Sequence, residues 1–587
     1  MSMLLLSGAD ALVKLLKKAG VRYAFAYPGT SELVMCNSIL KSRTISLING
    51  RGDKEATFMA AGGSVFTPLN SIAILHGARG STNAAGAIAD VRRNEIGTLF
   101  IVGLPSTSSA PFLPPHGEFD LIKSIGAFAK RHFEVTQAPA ETDTETERKE
   151  KIDIFIKTVK NSIVASFSLP YGPIILGIPQ DIAEKKWIPN NALKNSFFTP
   201  LIKDIKQNEL KKITDLIESK KYPLILIDDP YLKVNNAKEL LLKFANKLAS
   251  PILQVNYTRG PMLFEQVQGS QNPYFAGLYN LFSPDHIRLM NATDLLITLN
   301  DRNAYERVVG KLPSCRKIAI TTNLEMTMKN NYLSSSDIVV QGDISEILPK
   351  LTNMLADRSD KIKIQKKCSQ IRNSVKKDYK ISPQFSYLRT RMVKEFAHVF
   401  EKIPHPVLVD DSQMFGGVLA ENYSSFPHNL RVFGDHGAFV GGGLSLATGI
   451  ARCNDFVTVF CTLGDQGFTN ALQGLISSVQ EKTHIIYIVC NNGKSVSLLK
   501  QMKSQDQRAF NNGTHLFLYN PPIQYYVIAR SLGISSFYLD KEALEKSKLQ
   551  KTLLEAINHK GPTLIEFEAS GDEEAWMGVW ATKGNEK

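Results

Sequence analysis

Residues 456–494 read FVTVFCTLGDQGFTNALQGLISSVQEKTHIIYIVCNNGK. This spacing predicts a strand over 456–462, a GDQG turn, a helix over 468–480, a second strand over 484–490 and an NNGK loop. Such a unit crosses over right-handedly between parallel strands, so both loops leave the carboxyl ends of neighbouring strands, where open α/β sheets bind ligands. Asp465 and Asn492 are thereby set side by side although 27 residues separate them. An Asp carboxylate, an Asn side-chain oxygen and nearby carbonyls form a hard-oxygen set suited to Mg²⁺ that shares a ligand's phosphate oxygens. Gly464 and Gly467 let the backbone approach a phosphate, and the following helix points its N-terminus at it. Gly-Asp and Asn-Asn-Gly are also ordinary turn formers. The pairing of both loops across one unit is what favours a binding site.

Working outward, the same alternation of β-rich runs and helical stretches fills the chain. It appears at 44–48, 71–75, 98–103 and 173–179, and again at 222–228, 294–300, 316–322 and 337–343. The fold class read from it is α/β, with three domains that each carry a mainly parallel sheet flanked by helices. The boundaries are 1–187, a central domain 188–359, a basic helical linker 360–384 lying on the surface, and 385–587. Blocks one and three could be distant structural cousins. The acidic patch ETDTETERKE at 141–150 reads as a solvated helix start, and MSMLLLSGADALVKLLKK at the start as an amphipathic helix of a cytosolic protein.

Composition narrows the class. With 43% hydrophobic and 21% charged residues the chain is globular, and no apolar run approaches the roughly 20 residues a spanning helix needs. Six scattered cysteines show no CxxC pair, which argues against a zinc site or a disulfide framework in favour of a cytoplasmic setting. The net charge of +13 comes from lysines that largely alternate with acids, so no nucleic-acid partner is expected; an anionic small ligand suits it better.

The GD motif followed by NN resembles the diphosphate and metal signature of thiamine diphosphate (ThDP) enzymes of the decarboxylase and acetolactate synthase group. By that resemblance Asp465, Asn492 and the backbone carbonyl of Lys494 hold Mg²⁺ against the cofactor's diphosphate, with Gly464 and Gln466 beside them. GDHGAFVGGGLSLATGIA at 434–451 is similar to the segment whose bulky residue wedges between the two cofactor rings, which points to Val440. Two departures stand out. Gln466 replaces a usually small residue, unsettling local geometry only. Leu498 stands where pyruvate decarboxylases carry an acid, which argues against simple acetaldehyde formation.

The first block completes the resemblance. AYPGTSEL at 26–33 is similar to the family's PG[TS]xEL turn, placing Pro28, Gly29 and Thr30 at the cofactor, and GARGSTNAAGAIAD resembles the GPGxxN loop and helix, placing Asn83 there and Arg79 at the usual proline. INGRGDKEATFMAAGG matches the strand, loop and helix that carry the family's catalytic acid, and the role falls on Glu55. That acid must face N1′ of a buried aminopyrimidine ring. Asp53 and Lys54 have no role beyond starting the helix. The domains become pyrimidine-binding, central and diphosphate-binding, and the resemblance implies at least a homodimer with active sites at the subunit interface.

On the substrate side, ILHGARGSTNAAGAIAD is similar to benzoylformate decarboxylase, whose histidine falls on His76; a hydrogen-bonded wall residue is the alternative. That enzyme's second histidine is replaced by Asn272. His116 and Arg259 are weaker candidates, and the tryptophan-containing tail is either a lid or a docked segment. Acetolactate synthases hold FAD in a comparable middle block, but nothing in this sequence demands a flavin. The expected activity is cleavage of a 2-oxo acid with CO₂ release and transfer of the acyl-anion equivalent to a second carbonyl. Alternatives are release of an aldehyde, a flavin-linked oxidase, or a non-catalytic ThDP-binding homologue.

Overall fold

The computed structural model describes residues 5–109, 112–194, 196–201, 205–256, 263–374, 383–434, 439–504, 521–576 and 579. Three six-stranded parallel sheets with their flanking helices organise them. In the N-terminal domain the strands lie side by side as Ser46–Asn49, Tyr23–Ala26, Ser71–His76, Leu99–Leu104, Ile174–Pro179 and Arg131–Glu134. In the C-terminal domain the row is Arg431–Gly434, Pro406–Asp411, Thr458–Gly464, Ile485–Asn491, Thr563–Glu568 and Ser535–Leu539. Both rows follow the chain order 2-1-3-4-6-5, so the two outer domains share one topology. The central sheet has the doubly wound order 3-2-1-4-5-6, from Phe275–Leu278 through Ile252–Gln254, Pro223–Ile227, Leu295–Leu299 and Arg316–Thr321 to Ile338–Gln341.

The inner strands are nearly continuous apolar runs because helices cover both faces of each sheet. Leu99–Leu104, Ile174–Pro179 and Leu295–Leu299 are buried throughout. The helix Glu145–Ser166 starts from a capping box in which Thr144 and Glu147 satisfy each other's backbone N–H groups, as the solvated acidic patch suggested.

The two outer domains share a core. The helix Asp53–Gly63 packs on the helix Gly443–Cys453, and buried residues from Phe25 to Leu564 join in one apolar cluster. Each of these helices follows the second strand of its own sheet. Their contact is close because glycines form it: a side chain on Gly62 would overlap the Leu446 carbonyl oxygen, and one on Gly449 would overlap that of Met59.

Three local expectations change. The amphipathic start is not all helix: Leu5–Ser7 is a strand paired antiparallel with Lys186–Pro189, and the helix Gly8–Lys18 follows. The helix predicted over 468–480 begins at Asp465, so GDQG forms its cap and first turn. The basic linker's helix, Lys361–Ser374, does not simply lie in solvent; it docks through buried Cys368 and Ile371 on the central domain, where Arg372 donates to the Phe275 carbonyl of the edge strand. Among the described residues no helix is long and apolar enough to cross a membrane.

Candidate active site

The C-terminal sheet reverses its strand order between Pro406–Asp411 and Thr458–Gly464, and the loops leaving these strands form the floor of a crevice. Gly464 lies level with Cys490 on the next strand, so the GDQG and NNGK segments emerge together. Asp465 is buried at the first position of a sixteen-residue helix, and its Oδ1 accepts the Gln466 N–H at 2.8 Å. Asn492 Oδ1 accepts the Lys494 N–H at 3.1 Å, and Gly493 takes the left-handed φ of 70° that tightens the loop. Gln466 reaches across: its Oε1 accepts the Ser495 hydroxyl at 2.7 Å and ties the two loops.

Upstream, the carboxyl end of the strand Pro406–Asp411 contributes residues that the sequence reading missed. Asp411 Oδ2 accepts the N–H groups of Gly441 (2.8 Å) and Gly443 (3.1 Å), fixing the loop that presents half-buried Val440. Phe439 beside it stacks edge-on against Phe58 of the N-terminal domain, with ring centroids 5.2 Å apart. Asp410 is fully buried, accepting from the Ser412 hydroxyl (2.5 Å) and the Thr462 hydroxyl (2.7 Å), and burial pushes its carboxyl up to about 6.

A second crevice opens at the corresponding reversal in the N-terminal sheet, between Tyr23–Ala26 and Ser71–His76. Here Glu32, buried to 0% exposure, lies 2.9 and 3.1 Å from Nδ1 of His76 through its two carboxylate oxygens. It also accepts from the Gly29 N–H and, at 2.6 Å, the Ser31 hydroxyl. His116 faces His76 with ring centroids 5.3 Å apart, and its carbonyl accepts the Ala78 N–H at 2.7 Å. Burial, and then the neighbouring His76, hold His116 below the ordinary imidazole range, with Glu32 opposing. Asp53 Oδ1 accepts the His76 N–H at 2.9 Å; burial above all pushes this carboxyl up to about 6.

The other candidates are placed as follows. Pro28 and Thr30 are exposed at the lip of the N-terminal crevice, and Gly29 packs on the His76 ring. Asn83 is exposed on the helix Gly77–Arg93, as is Arg79, which pairs with Glu118 at 3.1 Å. Glu55 is 1% exposed: Oε1 lies 2.8 Å from Lys54 Nζ, and its carboxylate lies against Gly52, with Gln473 of the C-terminal domain close by. Leu498 is 45% exposed on the helix Val496–Ser504, and Asn272 is buried in the central domain. Arg259 and the end of the tail lie outside the described residues. Trp576 is docked, its Nε1 donating to Ser570 O at 2.7 Å and its carbonyl accepting from Lys500.

Two family models match the chain. Residues 6–125 match the N-terminal TPP (thiamine pyrophosphate) binding domain of thiamine pyrophosphate enzymes, and residues 417–567 match their C-terminal TPP binding domain. Each match covers one of the two crevices. The chain belongs to the thiamine pyrophosphate enzyme family.

This thiamine pyrophosphate enzyme is 24% identical over 574 residues to the acetolactate synthase large subunit of Buchnera aphidicola subsp. Acyrthosiphon pisum (strain APS), covering 94% of this chain and 92% of that protein. It is 22% identical over 600 residues to the mitochondrial acetolactate synthase catalytic subunit of Saccharomyces cerevisiae, covering 96% and 80%. In fold it is similar to the ThDP-dependent 4-hydroxybenzoylformate decarboxylase of Rhodococcus jostii RHA1, with a TM-score of 0.74 at 18% identity over 97% of this chain and 100% of that one. Benzoylformate decarboxylase from Polynucleobacter necessarius gives 0.73 at 17%, over 96% and 99%.

The residues present fit the family's cofactor and its metal. Among the described residues no three His, Cys, Asp or Glu side chains cluster as a soft-metal site would require. Asp465, Asn492 and the Lys494 carbonyl instead offer oxygens alone, at a helix N-terminus that favours an anion. The central crevice does not suit a dinucleotide. The turn after its first strand reads Asp228-Asp229-Pro230, which puts two carboxylates and a residue lacking an N–H where glycine N–H groups would cradle a diphosphate. Asp228 is already bonded to the Asn303 N–H at 2.7 Å, and Arg302 donates to the Arg93 carbonyl at 2.7 Å.

Proposed function

We propose that this chain is a ThDP- and Mg²⁺-dependent enzyme that cleaves a 2-oxo acid with release of CO₂ and transfers the acyl-anion equivalent to a second carbonyl compound, in the manner of an acetolactate synthase. The observation that carries the reading is the joining of the GDQG and NNGK loops at adjacent strand ends through Gln466 and Ser495. The matched TPP domains and the acetolactate synthase relatives support it.

Asp465, Asn492 and the Lys494 carbonyl would hold Mg²⁺, while Gly464 and Gln466 shape the turn around the diphosphate. Val440 would fill the space between the two rings, with Pro28, Gly29, Thr30 and Asn83 lining the pyrimidine side. Bound ThDP supplies a carbon nucleophile for the substrate ketone and holds the electron pair left when CO₂ departs. Glu32 keeps the Nδ1 proton on His76, because a carboxylate only accepts, and so leaves Nε2 to orient a substrate carboxylate or move a proton. His116, held below the usual range, is neutral at neutral pH and offers an acceptor beside it. This pair also favours a second reading, protonation to an aldehyde.

We further infer a homo-oligomer in which the N-terminal crevice of one subunit faces the diphosphate loops of another. Tyr27, Leu33, Phe112 and Phe119 stand exposed around that crevice and suit a covering partner. Six free cysteines, five of them buried, suit the reducing cytoplasm.

A screen of 2-oxo acids with and without aldehyde or 2-oxo acid acceptors, following CO₂ and identifying the organic product, tests the reaction. A carboligated product supports the first reading, an aldehyde the second, and no CO₂ from any acid sinks both. Asp465→Ala should weaken Mg²⁺-dependent ThDP binding at least tenfold, a loss of about 1.4 kcal/mol or more; unchanged affinity removes it from the metal site.

A further inference from the structure

We propose that Glu566 is a positioning residue for the metal loop: acting through Asn491, it holds Asn492 and the Lys494 carbonyl where Mg²⁺ binds. The assignment rests on the ThDP- and Mg²⁺-dependent reading above and deepens it. Glu566 lies on the strand Thr563–Glu568, beside the strand Ile485–Asn491 that runs into the NNGK loop. It is 1% exposed, and a buried acid is costly unless its oxygens are engaged. Both are: Oε1 accepts from the Asn491 side-chain amide at 2.7 Å, and Oε2 accepts the Tyr526 N–H at 2.8 Å.

These partners leave the Asn491 amide one orientation. An ionised carboxylate and a carbonyl only accept, so Nδ2 must face Glu566 Oε1 and, at 3.2 Å, the Ile523 carbonyl. Oδ1 is then left to accept the Gly493 N–H at 3.3 Å, at the residue whose φ of 70° turns the loop. The Asn491 backbone carbonyl accepts the Ala569 N–H at 2.9 Å. Gly571 packs on the loop so closely that a side chain there would overlap the Lys494 side chain and the Asn492 carbonyl oxygen. Asn492 and Lys494 flank Gly493, so the oxygens they offer take their positions from a side chain pinned in the sheet.

The same acid is tied to the other metal-bearing segment. The Tyr526 N–H that it holds belongs to the helix Tyr525–Ser531, and the Tyr525 phenol lies 3.0 Å from the Thr469 hydroxyl. Thr469 gives its one hydroxyl proton to the Asp465 carbonyl at 2.9 Å, so Tyr525 is the donor to Thr469. A continuous path therefore runs from Asp465 through Thr469, Tyr525, Tyr526, Glu566 and Asn491 to Gly493, separate from the bond between Gln466 and Ser495. Glutamine matches the shape of Glu566 but has one accepting oxygen, so Glu566→Gln must turn an NH₂ toward either Asn491 or the Tyr526 N–H.

Binding of ThDP to the full-length apo-protein, followed by calorimetry across a series of Mg²⁺ concentrations, tests this. Glu566→Gln should raise the Mg²⁺ concentration for half-maximal ThDP binding about tenfold or more. At saturating Mg²⁺ its ThDP affinity should return to within about threefold of wild type, a recovery that general loosening of the fold would not give. Asn491→Ala cuts the path from the loop side and should give a similar shift; it decides alone if Glu566→Gln does not fold. Because the two residues act in series, the double variant should need no more Mg²⁺ than Asn491→Ala. An unchanged Mg²⁺ requirement in folded Glu566→Gln or Asn491→Ala overturns the assignment, as do additive shifts in the double variant or a ThDP affinity that stays low at saturating Mg²⁺. A wild type whose ThDP binding does not depend on Mg²⁺ overturns the ThDP- and Mg²⁺-dependent reading itself, and the assignment with it.

Discussion

The carboxylate of Glu32 lies 2.9 Å from Nδ1 of His76, across 44 residues of sequence and with no solvent exposure of its own. The contact fixes the ring and favours the tautomer with the proton on Nδ1, which leaves Nε2 for the role proposed for His76. His76→Ala should abolish CO₂ release at unchanged ThDP affinity, and full retention would return the residue to the wall of the crevice. Glu32→Gln keeps an oxygen for the Gly29 N–H but can offer its own N–H to His76. It should lower kcat about tenfold or more and change the Nδ1/Nε2 tautomer of His76, followed by ¹⁵N NMR of the imidazole. Unchanged kcat and an unchanged tautomer would dissolve the pair.

The bond between Gln466 and Ser495 spans the GDQG and NNGK loops at 2.7 Å. A neutral hydrogen bond contributes about 1 kcal/mol net, which corresponds to about fivefold in affinity. Gln466→Ala and Ser495→Ala should each raise the Kd for ThDP with Mg²⁺ by about that factor, and the double variant by no more than either alone. Titration of apo-protein by calorimetry reads this directly. Additive losses would mean that the two residues act separately.

The contrast between these pairs shows what the sequence makes legible. The strands and helix of 456–494 follow from apolar periodicity and local turn residues, and they carry Asp465 and Asn492 to one edge as expected. Gln466 looked like a local disturbance because its partner lies on the next loop. Glu32 sits inside the PGTSEL stretch, yet only the fold shows that it meets His76. The strand Leu5–Ser7 escaped notice for the same reason: its hydrogen-bonding partner begins at Lys186, and a Leu-Leu-Ser stretch before a helix carries no strand period of its own. Asp53 and Glu55 share a helix turn, so their difference appears only when the neighbours of each are known.

Asp410 links stability to pH. Its carboxyl has a native value of about 6 against an ordinary 3.8, chiefly through burial. Because the native state holds the proton more tightly, the stabilising contribution is fully present below pH 3.8 and is lost as pH rises through 6. Asp410→Asn removes the ionising group but keeps an acceptor for Ser412 and Thr462. Its urea midpoint should exceed wild type at pH 7, reflecting a gain in unfolding free energy of up to about 3 kcal/mol, and the gap should close towards pH 4. A constant gap across that window would show that Asp410 does not titrate there.

The glycine contact between the outer domains reverses an ordinary rule. Gly62 and Gly449 lie inside helices, where replacement by alanine usually stabilises by about 1 kcal/mol. Here a methyl group on either residue would overlap a backbone carbonyl of the facing helix, Leu446 for Gly62 and Met59 for Gly449, and neither carbonyl is a flexible side-chain end that can swing aside. The helices would have to move apart, loosening the packing of Met59 and Ala60 on Leu446 and Ile450 in the shared core. Overpacking of this kind costs about 1–3 kcal/mol and outweighs the gain in helix propensity. Gly449→Ala should therefore lower the urea midpoint. An exposed helical control such as Gly86→Ala is no substitute, because Gly86 itself meets Phe439. Gly449→Ser gives the second point: it should cost at least as much as alanine, and a midpoint at or above wild type for both variants would show that the two domains do not pack through these glycines.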